Sequence, residues 1–235
     1  MTNIRVVDFE TTGMDAKAEV CEVGICDVNL ELRLIERPES WLCAVTSMPP
    51  EVRAIHHISW AECATWRVFN PDVICNETID AIAIHNAAFE LQFYSSPVPV
   101  ICTYKAALRV WPDAPSHSNG ALRYWLEDLG LITLDAALAQ PAHRAGPDAY
   151  VTAHLLLALF NQGVTGKQMV AWTKEPALLP LCPLGKFRGR PWRDVDDGFL
   201  NWMLKQQDME PDLKWNANVE LERRQKENGY ASQGR

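Results

Sequence analysis

The sequence has no apolar run long enough to cross a bilayer, and its first residues lack the layout of a signal peptide. Its seven cysteines show no Cys-x-x-Cys spacing, which argues against a zinc or dithiol redox site. Because their number is odd and several lie in apolar stretches, we predict that they are reduced and buried. These absences predict a cytoplasmic protein with no membrane partner.

Positive charge is also in short supply. The chain has 22 Lys and Arg against 30 Asp and Glu, a formal net charge of -8. Residues 1–163 hold 10 basic against 20 acidic residues, whereas residues 164–235 hold 12 against 10. An acidic main body argues against general nucleic-acid affinity but is compatible with an enzyme that has a local site. An apolar fraction of 48% indicates a globular protein with a substantial core.

Strand patterns dominate the first part of the chain and helix patterns the rest. The predicted strands lie at residues 4–7, 20–28, 32–35 and 81–84. The last of these is expected to continue into a helix through Phe89 and Phe93. Further helices are predicted at 103–111, 119–129 and 147–163. Strands first and helices between and after them indicate an α/β layer architecture.

The composition changes after residue 163. Residues 164–215 are dense in Pro, Gly and aromatic side chains and end in an amphipathic helix after Asp196 and Asp197. We predict a main domain at 1–163 and a small appended C-terminal module at 164–215. Residues 216–235 are polar and predict a fraying helix and a disordered tail.

The segment RVVDFETTG, residues 5–13, carries two acids at the end of an apolar, β-branched strand. Side chains alternate along a strand, so Asp8 and Glu10 point to one face and Phe9 to the other. Two like charges one pleat apart repel each other unless a cation lies between them. The pair is therefore a candidate metal site; a solvent-exposed strand end with two unpaired acids is the alternative.

Two later segments carry further acidic and histidine side chains. Glu90 ends HNAAFE, and HRAGPDA contains His143 and Asp148, the latter at the start of a Leu-rich helix whose dipole favours a carboxylate. In this order, DFETTG, HNAAFE and HRAGPDA resemble the three Exo motifs of the DEDDh 3′–5′ exonucleases. Connecting segments resemble those of the exonuclease X type within that family; they are AIHHIS, ICTYKAALRVWPD, HSNGAL and LGKFRGRPW.

The resemblance implies a ribonuclease-H-like fold, a mixed five-stranded sheet flanked by helices. It implies that Asp8, Glu10 and Asp148 are metal ligands and that His143 is the general base. The implied cofactors are two divalent cations, Mg²⁺ with Mn²⁺ able to substitute, which suits a ligand set made only of oxygen. The implied reaction is 3′–5′ hydrolysis of DNA with release of nucleoside 5′-monophosphates.

The sequence departs from the family pattern at Glu90, where the motif has Asp. Glutamate keeps the charge and the oxygens but reaches one methylene further. We expect Glu90 to serve as a metal ligand, directly or through water. The alternative is a catalytically impaired module that binds a nucleic-acid end or a partner protein.

Substrate contacts are expected at Thr11, Thr12, His56 and Asn86, next to the motif acids. Each also has a structural interpretation: turn residues for the threonines, a helix end for His56 and a helix cap for Asn86. The expected partner is a DNA 3′ end, preferably single-stranded. An RNA-directed exonuclease of the same fold is the alternative, because the motifs do not read the 2′-hydroxyl. The oligomeric state stays open.

The segment GKFRGRPWR places Lys186, Arg188, Arg190 and Arg193 around two aromatic residues. Cations alternating with aromatics can grip a phosphate backbone and stack a base. A small hairpin whose aromatics pack internally and whose cations are solvated explains the pattern equally well.

Overall fold

The computed structural model describes residues 2–233. The chain forms two compact units. The first comprises the residues up to Ala107 together with Ala114–Thr173, and the second comprises Leu108–Asp113 and the chain from Lys174 onward. The predicted boundary at residue 163 thus lies one helix before the division between the units. Among the described residues, no helix has the length and apolarity that crossing a membrane requires.

A mixed sheet forms the centre of the first unit. Strand β1 (Asn3–Thr11) pairs antiparallel with β2 (Val20–Asn29) and parallel with β5 (Ala81–Ile84), which pairs parallel with β6 (Val100–Cys102). Two short strands, β3 (Leu34–Ile35) and β4 (Glu39–Leu42), pair with different parts of β2. The sheet is mixed, as predicted, but it has six strands where five were predicted, because both β3 and β4 pair with the outer side of β2.

The two faces of β1 differ in character, as strand alternation predicts. Val7 and Phe9 are buried in an apolar cluster that includes Ile82 and Ile84, and the Phe9 ring lies edge-on to Phe69 at 5.2 Å. Asp8 and Glu10 therefore face the opposite side of the sheet, against which the long helix α5 packs.

Six helices accompany the sheet: α1 (Pro50–His56), α2 (Trp60–Cys63), α3 (Thr103–Val110), α4 (Asn119–Asp128), α5 (Ala145–Asn161) and α6 (Gly166–Lys174). Gly130 and Gly163 follow α4 and α5 in left-handed conformation, φ 67° and 83°. The helix expected through Phe89 and Phe93 is wrong; only a 3₁₀ turn, Glu90–Gln92, forms there. Asn86, two residues after β5, adopts the left-handed φ of 67°. The chain turns there, and the apolar residues that follow do not continue as an α-helix.

The second unit has a small core of its own. A hairpin of β7 (Leu181–Cys182) and β8 (Arg190–Pro191) is followed by α7 (Asp197–Lys205) and α8 (Pro211–Gln233). Asp196 caps α7 by accepting the Phe199 N–H at 2.7 Å. The buried core side chains are Cys182, Trp192, Val195, Leu200, Met203 and Ala217.

Of the fraying helix and disordered tail predicted from residue 216, the helix is present, and the disordered part is wrong within the described residues because α8 continues to Gln233. Asn216 is buried and its amide group binds the backbone of Ala177 and Leu179 at 2.7 and 2.9 Å. Glu220 is also buried and pairs with Arg224 at 2.7 Å. The order of this segment was missed because the partners of Asn216 lie 37 and 39 residues away in the chain. Gly234 and Arg235 lie outside the described residues.

Candidate active site

Strand β1 delivers two carboxylates to the face that α5 covers. Asp8 lies opposite Gly24 of β2, and Glu10 lies opposite Glu22. In an antiparallel pair, residues directly opposite share a face, so all four positions look toward the start of α5. The sheet thus concentrates three acidic side chains at one place.

The third predicted ligand comes from α5. Asp148 lies in the first turn of this helix. Carboxylate oxygens of Asp8, Glu10 and Asp148 all lie within 4.8 Å of one another. The predicted convergence of these acids from distant parts of the chain is therefore present in the structure.

A glycine allows α5 to come this close to the sheet. A Cβ atom added at Gly24 would lie 2.0 Å from both the carbonyl carbon and the carbonyl oxygen of Ala145. Gly146 is less tightly enclosed, since a Cβ there would lie 3.1 Å from the Ser40 side chain. Contact between backbones at Gly24 is what brings Asp148 to Asp8.

Glu22 anchors the start of α5 from the sheet, a role that the sequence analysis missed. Its carboxylate accepts two hydrogen bonds from the Arg144 guanidinium, at 2.8 and 2.6 Å, and one from the Ala145 N–H at 3.0 Å. Glu22 thereby caps a helix whose N-cap residue provides no side-chain cap of its own. An acid in the middle of a buried strand run, EVCEVGICDV, was the available signal.

Burial and mutual repulsion raise the pKa values of the clustered acids. For Asp8 the pKa is raised well above its usual value, mainly by desolvation and then by the charges of Asp148 and Glu10. Desolvation, followed by repulsion from Asp148 and Glu22, raises the pKa of Glu10 to about 8. Asp148 has a raised pKa as well, mainly from desolvation. Such a cluster favours the binding of protons or of cations.

Glu90 lies near these acids but outside the group of three. Its side chain is 4% exposed, and its Oε2 atom is buried with no hydrogen-bond partner in the described structure. Desolvation, and to a smaller extent repulsion from Glu10, raises the pKa of Glu90 to about 8. Its charge in turn contributes to the raised pKa of Asp8. A buried carboxylate oxygen without a donor is one that a cation would satisfy.

His143 lies in the loop that leads into α5. Its backbone N–H donates to Asp148 Oδ2 at 3.0 Å, and its φ of 59° is the left-handed conformation that few non-glycine residues adopt. The side chain is exposed. This backbone bond keeps His143 next to Asp148 and leaves its imidazole open to solvent.

The four predicted substrate contacts have different surroundings. Thr11 Oγ1 donates to the Gly13 carbonyl at 2.6 Å, and Thr12 Oγ1 accepts the Glu19 N–H at 2.9 Å. His56 is the last residue of α1 and is 2% exposed, and desolvation lowers its pKa. The structure thus supports turn and helix-end roles for these three residues.

Asn86 is the exception among these four residues. It is exposed, it lies two residues after the end of β5, and its carbonyl accepts the Phe89 N–H at 3.0 Å. It provides no side-chain cap to the turn at Glu90, contrary to the helix-cap interpretation.

Comparison with known proteins identifies the family. No family model matches the chain. The chain is 33% identical over 230 residues to Exodeoxyribonuclease 10 of Escherichia coli strain K12, a match that covers 93% of this chain and 99% of the relative. The chain belongs to the exonuclease X family of DEDDh exonucleases. The exonuclease X of a second Escherichia coli strain, O6:H1, matches to the same extent.

Solved structures agree with this assignment. A structure of exonuclease X in complex with 5′ overhanging duplex DNA is 30% identical and has a TM-score of 0.61, covering 72% of this chain and 99% of that chain. The nuclease domain of 3′hExo, a DEDDh family member bound to rAMP, has a TM-score of 0.51 at 17% identity over 69% of this chain and 93% of that chain. This second match shows the fold alone, which is ribonuclease-H-like as predicted.

Membership of the exonuclease X family confirms the predicted 3′–5′ exonuclease class and implies divalent metal cations. The side chains present fit such cations. Three partly buried carboxylates within 4.8 Å and the unpartnered Glu90 Oε2 offer a donor set made only of hard oxygen ligands. The negative charges of these carboxylates repel one another, and a bound divalent cation would remove that repulsion.

Proposed function

We propose that this protein is a metal-dependent 3′–5′ exodeoxyribonuclease that releases nucleoside 5′-monophosphates from DNA ends. The observation that carries the proposal is the meeting of Asp8, Glu10 and Asp148 within 4.8 Å, in a chain 33% identical to Exodeoxyribonuclease 10. The acids come from the first and third motif segments, so the match in sequence and the convergence in space support each other.

The proposed cofactors are two divalent cations, Mg²⁺ in the cell with Mn²⁺ able to substitute. Asp8, Glu10, Glu90 and Asp148 would hold them, because oxygen-only ligation suits these ions better than zinc. When bound, such a pair supplies charge stabilisation to the entering and leaving oxygens of an in-line phosphoryl displacement. The longer side chain of Glu90 supplies the same charge from one methylene further away.

His143 is the proposed general base. Histidine changes protonation near neutral pH and can therefore accept a proton from water as it attacks the terminal phosphodiester. The His143 N–H bond to Asp148 Oδ2 holds the loop beside the acid cluster, while the exposed ring stays free to reach the water. The accepted proton then passes to solvent.

The substrate is proposed to be a DNA 3′ end, with single strands preferred. Asn86, exposed beside Glu90, is the substrate contact that the surroundings favour most. Thr11 and Thr12, through their backbone N–H and hydroxyl groups, and His56 stay predictions as contacts to the 3′-terminal nucleotide. Buried thiols without disulfides in the described structure support a cytoplasmic location.

The direct test uses single-stranded DNA labelled at its 5′ end. With Mg²⁺ or Mn²⁺ we expect stepwise shortening from the 3′ end and release of nucleoside 5′-monophosphates. EDTA or the Asp8→Ala variant should abolish the shortening. Metal-dependent binding of DNA that stays intact with both ions would instead identify a catalytically impaired end-binding module.

A matched RNA strand, run in parallel, separates the proposed substrate from the alternative. We expect a higher kcat/KM on DNA. Faster shortening of RNA would assign the protein to the RNA-directed alternative while leaving the site chemistry intact.

A further inference from the structure

The second unit carries a basic hairpin with a fixed shape. The chain between β7 and β8 closes through bonds from the Gly189 N–H to the Cys182 carbonyl at 2.8 Å and from the Arg188 N–H to the Gly185 carbonyl at 3.2 Å. Gly185 and Gly189 adopt φ of 57° and 77°, which only glycine takes without strain. The cations of this turn are therefore displayed on an ordered backbone.

These cations are exposed and weakly compensated. Lys186 pairs with Asp196 at 3.2 Å, but the two side chains are 70% and 52% exposed, so solvent screens the pair. Arg188 Nε donates to the Pro183 carbonyl at 3.1 Å, which leaves its charge unneutralised. In the part of the chain that the structure describes, no carboxylate lies within 4.0 Å of Arg188 or Arg190.

An aromatic row extends from these cations to an exposed indole. Lys186 Nζ lies 4.8 Å from the Phe187 ring centre, Phe187 contacts Phe199 at 5.1 Å, and Phe199 contacts Trp202 at 5.1 Å. Trp202 is 45% exposed. Trp192, an aromatic that the sequence pattern singled out, is instead buried and donates to the Leu179 carbonyl at 2.7 Å.

We propose that Lys186, Arg188, Arg190 and Trp202 form a binding surface for single-stranded DNA. This surface deepens the proposed function and rests on it. Cations at every second residue match a polyphosphate backbone, and an exposed indole beside them offers a face on which an unpaired base can stack. A duplex keeps its bases stacked internally, so the exposed Trp202 favours a single strand. Each nucleotide that contacts this surface adds to the affinity, so long strands should bind more tightly than short ones.

The binding test uses the Asp8→Ala protein with fluorescein-labelled oligothymidine, followed by fluorescence anisotropy as a function of salt. Because each lost phosphate contact on a single strand lowers the salt slope by about 0.7, the triple variant Lys186→Glu, Arg188→Glu, Arg190→Glu should lower it by about 2. Trp202→Ala should weaken binding about 10-fold. Trp202→Phe should restore most of the lost affinity. If Trp202 had only a structural role, the loss of affinity and its recovery would be accompanied by matching changes in the melting temperature.

A control of equal charge change lies in the first unit: Arg33→Glu, Arg37→Glu, Lys167→Glu, all at exposed positions. It should alter the salt slope by less than half as much as the hairpin variant. Equal effects of the two triple variants, or an unchanged slope in the hairpin variant, would overturn the proposal in favour of a general charge effect or of a solvated hairpin.

A small substrate separates failure of this surface from failure of the proposed function. Thymidine 5′-monophosphate p-nitrophenyl ester has no strand that could reach a second contact. With Asp8 intact, the hairpin variant should keep the wild-type kcat and KM for this ester and raise KM for long single strands. Wild-type protein inactive on both substrates would contradict the proposed function. Wild-type activity with an unchanged KM for long strands in the hairpin variant would contradict the surface alone.

Discussion

At the scale of single residues, Glu22 connects the sheet to helix α5, which carries Asp148. It is 1% exposed and binds both Arg144 and the first N–H of α5. Removing one partner of such a buried ion pair is strongly destabilising, because the other charge is left buried without a partner. Glu22 is thus a positioning residue for Asp148, which lies one turn further along α5.

We expect Glu22→Ala to lower kcat about 100-fold, because a shift of about 1 Å at the site has that effect. Glu22→Gln keeps an acceptor for the Ala145 N–H and should retain more activity than Glu22→Ala. A double-mutant cycle with Arg144→Met on thermal stability should give a coupling energy on the order of 2 kcal/mol. Additive effects in the cycle would contradict the role of this ion pair.

Variants of Glu90 test whether the departure from the family motif impairs the enzyme. We expect Glu90→Ala to lower kcat about 100-fold, since it removes a charge from the proposed cation site, whereas Glu90→Asp should stay within about 10-fold of wild type. Single-turnover rates on labelled single-stranded DNA with Mg²⁺ measure both. A gain of several orders of magnitude in Glu90→Asp would instead show that the native site is impaired.

At the scale of secondary-structure elements, the contact between β2 and α5 sets the geometry of the site. A side chain at position 24 would meet the Ala145 backbone, which has no rotamer with which to move aside. The helix as a whole must then shift. The packing of these two elements therefore controls the distance from Asp148 to the acids on β1.

Gly24→Ala should destabilise the protein by about 3 kcal/mol or more, the upper range for overpacking, and lower kcat strongly. Its matched control is Gly120→Ala, in the first turn of α4, where an added Cβ meets no atom within 4 Å. That control should be neutral or stabilising by about 0.5–1 kcal/mol. Differential scanning calorimetry and kcat compare the two; equal effects would refute the close contact.

At the scale of the whole molecule, the acid cluster links stability to pH. The raised pKa values of Glu10 and Glu90, about 8, mean that the folded state binds more protons than the unfolded state between about pH 4.5 and 8. The free energy of unfolding therefore falls as pH rises through this range. Deprotonation frees the same carboxylates for cations, so cations should stabilise the protein most at the high end.

In EDTA we expect a lower melting temperature at pH 8 than at pH 6 and a larger rise on adding Mn²⁺ at pH 8. The double variant Glu10→Gln, Glu90→Gln should flatten both dependences. Because other groups also titrate, the difference between wild type and variant is the relevant quantity. The same pH slope in both proteins would show that these two acids are not the source.

Much of the site could be predicted because its signals are local. Alternation along one strand places Asp8 and Glu10 on the same face, and the resemblance to the Exo motifs named Glu90, His143 and Asp148. Glu22 was missed because its partner Arg144 lies far along the chain, and no local pattern joins the two. The burial of Asn216 in α8 was missed for the same reason, since it binds the backbone of Ala177 and Leu179.

The face that presents Asp8 and Glu10 and the presence of β1, β2, β5, α3, α4 and α5 follow from residues a few positions apart, and they could therefore be predicted from the sequence. Three features could be seen only in the folded chain: Asp148 meets those acids, Glu90 is buried with an unpartnered oxygen, and Trp202 is exposed while Trp192 is buried. The reason is physical: each of these depends on backbones and side chains packing across long separations in the chain, as Gly24 does against Ala145.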